Sequence, residues 1–80
     1  MTENEKKLCK VMIENDLDTI VISDWKLKHQ GTPITHVVLC EDIHGNKNVQ
    51  FSSGDPWLKY AEFFEGESVD YLYEKVLKLW

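Results

Sequence analysis

Apolar positions in this chain recur at two periods, and the change of period divides it into elements. Leu8, Cys9, Met12 and Ile13 repeat at helical spacing, with Lys6, Lys7, Lys10 and Glu14 on the wet side. Thr2-Glu3-Asn4-Glu5 ahead of them reads as a capping box, with Thr2 as cap and Glu5 reaching back. A first helix is predicted over residues 3–15, stopping at Asn15-Asp16. The period then falls to two. Residues 18–29 alternate, with Leu17, Thr19, Val21, Ser23, Trp25 and Leu27 on one face and Ile20 and Ile22 on the other. Gln30-Gly31-Thr32-Pro33 is a turn by composition. A second strand follows at 34–43, a tight turn at His44-Gly45-Asn46-Lys47, and a short third strand at 48–52.

The helical period returns after Ser53. Asp55 and Pro56 form a helix entry, and Trp57, Tyr60, Ala61 and Phe64 follow at i, i+3, i+4 and i+7 until Gly66. Ser68 then caps a last helix carrying Val69, Leu72, Tyr73, Val76, Leu77 and Trp80 on one stripe. The order α-β-β-β-α-α predicts an α+β two-layer domain, a three-stranded antiparallel sheet with helices on one face. At 80 residues there is room for one core, so residues 1–80 read as a single domain.

Composition narrows the function. The apolar fraction of 42% is that of a globular chain, and no apolar run approaches the roughly 18 residues of a membrane span. No apolar stretch of signal-peptide length follows the N-terminus, so a cytoplasmic location is expected. Nine lysines stand against fourteen acids, and there is no arginine. Such a chain is ill suited to grip nucleic acid directly. Cys9 and Cys40, the two cysteines, are expected as reduced core thiols.

Motifs for chemistry are sparse. His29, His36, His44, Cys9, Cys40, Glu41 and Asp42 are metal-ligand types, but no paired Cys/His spacing joins them. His36 and Cys40 lie about 13 Å apart on an extended strand. Neither metal nor cofactor is expected. Cys40 near a histidine and an aspartate has the letters of a thiolate pair, yet it sits in an apolar strand with no glycine-rich loop beside it. A non-enzymatic protein is therefore expected, with a Cys40-dependent enzyme as one alternative.

The strongest remaining feature is the segment from Tyr60 to Glu74. It carries Glu62, Glu65, Glu67, Asp70 and Glu74, no positive charge, and the aromatics Tyr60, Phe63, Phe64, Tyr71 and Tyr73. Like charges at i, i+3 and i, i+4 weaken a helix slightly, so local stability does not account for the cluster. An acidic surface with aromatic anchors suits a basic protein partner. Glu62, Glu65, Glu67, Asp70, Glu74, Tyr60, Phe63 and Tyr71 are the candidate partner-binding residues, placed on the second and third helices. A solvated face serving only solubility is the plain alternative. A further alternative is a homodimer or adaptor docking through an uncovered sheet face containing Ile20, Ile22 and Val38, or through an open strand edge.

Two family resemblances add to this. The order α-β-β-β-α resembles double-stranded RNA-binding domains, which grip phosphates with lysines at the start of the helix after the third strand. Here that position reads Ser53-Gly54-Asp55-Pro56-Trp57-Leu58-Lys59, with one lysine, so the resemblance stops at topology. The chain also resembles small phage-encoded anti-CRISPR proteins, which join a helix, a three-stranded meander and acidic-aromatic helices. The matching features are Ile34-Thr35, the turn Gly45-Asn46, and the segment Glu62 to Glu74. That resemblance implies a DNA-mimicking inhibitor of a basic, nucleic-acid-handling enzyme, acting in the host cytoplasm, with carboxylates standing in for phosphates.

Overall fold

A computed structural model describes residues 1–23 and 26–79. The expected places of Trp25 on a strand face and of Trp80 on the last helix lie outside the described residues. The fold is α+β, with two α-helices, a four-stranded antiparallel sheet and a separate two-stranded sheet among those residues.

Helix α1 spans Glu3–Glu14, and the Thr2 side chain accepts from the Glu5 N–H at 3.1 Å. Half of the expected capping box is therefore present. The Glu5 carboxylate does not reach back; it is 3% exposed and accepts from the Val49 N–H at 3.1 Å. Strand β1 is Thr19–Val21, β2 is Lys28–His29 and β3 is Thr32–Pro33. The predicted single strand over 18–29 is thus two short ones. Gln30 at φ 50° and Gly31 at φ 80° make the tight turn that pairs β2 with β3. Thr32 and Pro33 belong to the strand after the turn and not to the turn itself.

Strand β4 is His36–Glu41 and β5 is Lys47–Ser53, both inside or close to their predicted spans. The turn between them is closed by Asp42, whose Oδ1 accepts from the N–H of His44 at 2.8 Å and of Asn46 at 2.9 Å. Those two donors hold the Asp42 carboxyl below the ordinary value, with Asn46 the larger influence. Gly45 sits at φ 81°, where glycine carries no steric cost.

The second helix predicted after Ser53 is absent. Residues 54–61 form a loop, and Glu62–Phe64 form strand β6, paired antiparallel with β5 through Phe51↔Phe64, Ser52↔Phe63 and Ser53↔Glu62. The sheet order is β1-β4-β5-β6, four strands and not three. The physical cause is competition for the same residues. Asp55 does nucleate a turn: its Oδ1 accepts from the Trp57 N–H at 3.0 Å and its C=O from the Leu58 N–H at 3.0 Å. That turn does not propagate, because β5 offers unpaired backbone groups and Phe63-Phe64 are strand-favouring residues that meet them. Gly66 at φ 89° ends the strand, and a 3₁₀ turn at Glu67–Val69 leads into α2, Asp70–Leu79. Gly66 occupies the cap position before the 3₁₀ turn, so the expected Ser68 cap is not formed.

The core joins Leu8, Cys9 and Met12 of α1, Val69 with Leu72, Tyr73 and Val76 of α2, and Val37, Val49 and Phe51 of the sheet. Ile20 and Ile22 pack against this cluster, so they do not form the uncovered apolar face expected of them. Where β6 stops, helix side chains take over the edge of β5. The fully buried Tyr73 donates its hydroxyl to the Val49 C=O at 2.7 Å and accepts from the Gly66 N–H at 3.3 Å. In the β5–β6 register Gly66 would face Val49, so the phenol bridges the next rung of the ladder. Burial, then the nearby Glu5 charge, pushes the Tyr73 phenol well above its usual range. No helix among the described residues is long and apolar enough to cross a membrane.

Candidate docking surface

The eight candidate residues divide into two groups with different surroundings. Glu67, Asp70, Tyr71 and Glu74 lie on the 3₁₀ turn and α2. Tyr60, Glu62 and Phe63 lie on the β5–β6 hairpin, and Glu65 follows directly after β6. Glu62 and Glu65 therefore do not share a helix.

The helical group is largely engaged within the protein. Asp70 Oδ2 accepts from Asn4 Nδ2 at 3.1 Å, which ties the first turns of α1 and α2 together. Glu74 pairs with Lys78 at 3.2 Å, one turn along the same helix. The Tyr71 hydroxyl donates to the Lys28 C=O at 3.2 Å, which leaves the 2.8 Å contact with His29 Nδ1 as a bond that the ring N–H donates. Lys75 Nζ lies 5.7 Å from the Tyr71 ring centroid. A shallow pocket of about 270 Å³ opens on this flank, rimmed by Lys26, Lys75 and Lys78 over Leu27 and Leu79. The sequence window that ended at Glu74 excluded these lysines, and in space they dilute the acidic run. Replacing Asp70 by lysine would break the bond to Asn4, and Asp70 is half-buried with its Oδ1 out of water, so it is a structural residue.

In the hairpin group only Glu65 has such a tie among the described residues. Tyr60 is 86% exposed and Phe63 46% exposed. Trp57 at 75% and Leu58 at 64% join them on the loop. Lys59 Nζ lies 5.9 Å from the Tyr60 ring centroid, and Glu62 is exposed at the base of the loop. Glu65 accepts from Asn48 Nδ2 on the neighbouring strand and is also exposed. Trp57 and Leu58 were missed as surface residues because the helical stripe assigned Trp57 to the core. The signal that could have found them is Gly54-Asp55-Pro56, which suits an isolated turn as well as a helix entry.

The side chains of Val21, His36, Ser52 and Phe63 share one row, because β1, β4, β5 and β6 bring them into register. This row lies on the face opposite Val37 and Phe51, at the end of the sheet from which the loop extends. Val21 is 71% exposed and Ser52 is fully buried. Ser52 Oγ donates to the Gly54 C=O at 2.6 Å, and Thr35 Oγ1 lies 3.0 Å from the same oxygen. The root of the loop is thus anchored while its apolar tip is presented to water.

No group of three or more His, Cys, Asp or Glu able to hold a metal occurs among the described residues. Burial raises the Cys9 thiol, with Glu5 adding to it, and burial raises the Cys40 thiol, with Glu65 adding to it. Both shifts oppose formation of a nucleophilic thiolate. A groove of about 420 Å³ between α1 and the sheet is lined by Met12, Ile13, Asp16, Leu17, Asp18, Leu39 and Lys47, without histidine, cysteine or hydroxyl. No family model, no curated protein and no solved structure matches the chain.

Proposed function

We propose that this chain is a non-catalytic binding module that docks onto a basic protein partner through the tip of the β5–β6 hairpin. The observation that carries the reading is the exposure of Trp57, Leu58 and Tyr60 on a loop whose root is hydrogen-bonded to the sheet. Large aromatic side chains held on a fixed base lose little entropy on binding and supply the usual anchors of an interface. In sequence this stretch is flanked by Asp55, Glu62 and Glu65, with a single lysine, Lys59, among them. Carboxylates around an apolar centre favour a positively charged counter-surface and speed the encounter with it.

A basic, nucleic-acid-handling protein is the partner class that fits. The carboxylates would occupy positions meant for phosphates, and the module would inhibit by covering that surface, in the manner of the phage anti-defence proteins it resembles. The acidic-aromatic surface is retained from the sequence reading, but its centre moves from the helices to the hairpin.

The test is capture of a partner at about 0.1 M and about 1 M salt, between which the Debye length falls from roughly 10 to 3 Å. The protein, a Trp57→Ala/Tyr60→Ala variant and a Glu62→Lys/Glu65→Lys variant are compared. Both variants are expected to melt like the parent and to lose a partner that the parent holds only at low salt. Capture of the same protein by all three removes the hairpin from the interface.

A further inference from the structure

The two sides of the main sheet are finished differently. Beyond β6 the edge of β5 is closed by Glu5 and Tyr73, which bond the Val49 N–H and C=O. At the other side β1 is open among the described residues. The Leu39 N–H donates to the Asp18 C=O at 2.9 Å and the Ile22 N–H to the Thr35 C=O at 2.8 Å, with Ile20 opposite Val37 between them. Residues 18, 20 and 22 therefore turn their backbone groups toward β4. Alternate residues of an antiparallel strand bond to opposite sides, so the N–H and C=O groups of Thr19 and Val21 point away from the sheet. No side-chain or loop bond among the described residues reaches those groups.

An open edge is normally guarded by a lysine, a proline, a bulge or a covering loop. Thr19-Ile20-Val21-Ile22 has no charge, no proline and no glycine, and all four residues favour strands. Val21 is 71% exposed on this edge. We infer that β1 is a self-pairing edge, which joins a second copy of this chain into a continuous antiparallel sheet.

The second copy is the occupant because the edge is complementary to itself. A two-fold axis at Ile20 sets Thr19 opposite Val21 of the second copy and Val21 opposite its Thr19. Both residues turn their free groups outward, so the rung closes with four backbone hydrogen bonds, two on each side of the axis. Among the described residues of the paired strands the nearest like charges, Asp18 and its copy, stand four residues apart in this register, about 13 Å along the strand, which exceeds the screening length at physiological salt. The contact is narrow and lacks the area of an obligate interface, so the dimer forms in the micromolar range or weaker. Each copy carries a net charge of −5, so salt strengthens this contact while it weakens docking to a basic partner. In the dimer the two β6 strands lie at the outer edges of an eight-stranded sheet, about seven strand spacings or roughly 34 Å apart, and the two hairpin tips extend from opposite ends of it.

Sedimentation equilibrium over about 10 µM to 1 mM, with amide exchange at both ends of that range, tests the inference. The expected result is a monomer–dimer equilibrium in which the Thr19 and Val21 amides gain protection with concentration. Val21→Pro removes an outward N–H, along with the exposed Val21 side chain, without touching a bond to β4, and is expected to raise the dimer dissociation constant at least tenfold while the protein stays folded. A chain assembled by ligation at Cys9 and Cys40 with an N-methyl group on Val21 makes the same change without altering the side chain, and the same loss is expected. A monomer at every concentration overturns the inference. So does a dimer that survives N-methylation, or one whose protected amides lie outside β1.

Discussion

Removing one oxygen atom from Tyr73 tests how the sheet edge is closed. In Tyr73→Phe the ring keeps its place against Phe51, 4.8 Å between centroids, so the apolar contribution is nearly constant. What is lost is the donor to the Val49 C=O and the acceptor for the Gly66 N–H. Val49 is fully buried, so its carbonyl cannot recruit water and carries the full desolvation cost of about 1–3 kcal/mol. Gly66 is only partly buried and its bond is long at 3.3 Å, so its share is below about 1 kcal/mol. The expected loss is about 2–3 kcal/mol, against roughly 4–12 kcal/mol for a domain of this size. At about 4–8 °C per kcal/mol the melting temperature falls by roughly 10–20 °C. Urea unfolding of the two proteins gives the difference directly, and amide exchange at Gly66 should accelerate in the variant. A loss below about 0.5 kcal/mol with unchanged exchange would refute the bridge, because a truly buried carbonyl cannot be left unpaired so cheaply.

Other expectations follow from the same contacts. Glu5→Ala should destabilise by about 1.5–3 kcal/mol, since the buried carboxylate is the acceptor for the Val49 N–H, and that amide should then exchange faster; hydrogen exchange read by NMR checks both. Asp42 should titrate below 3.8 in a carbon-detected experiment. Because its folded value is depressed, the turn gains stability from it above the ordinary carboxylate range and loses that gain as pH falls through the folded value. Cys9 and Cys40 should alkylate slowly at neutral pH relative to the unfolded chain, since both thiols are raised above 9.0; rapid labelling of Cys40 would reopen a catalytic reading.

The reach of the sequence varied along the chain for identifiable reasons. The first helix, the turn at 44–47 and the stripe of the last helix were legible because each is set by local chemistry: Thr2 as cap, Gly45 in the turn, Leu72, Tyr73 and Val76 on one face; the part of Asp42, which closes the turn from the predicted strand, was not. The segment 55–64 misled because its spacing fits a helix, while its outcome depends on a distant strand with unpaired backbone groups. The break in the predicted strand over 18–29 also escaped local reading. The bond from Ile34 to Leu27 and the turn at Gln30-Gly31 fold that stretch back on itself. Of the candidate surface, the aromatics Tyr60, Phe63 and Tyr71 are exposed. The pairing of Glu74 with Lys78 and of Asp70 with Asn4 was not legible as a loss of free charge. Asn4 is distant in sequence, and Lys78 lay just past the acidic run. Tyr73, one of the five aromatics of that run, proves to be a buried structural residue.

The most direct test of the docking surface is amide exchange on the complex once a partner has been captured. Protection centred on residues 55–63, with Trp57 fluorescence shifted to shorter wavelength, is the predicted result. Protection confined to Asp70–Leu79, with the hairpin exchanging as in the free protein, would contradict it and return the interface to the helix.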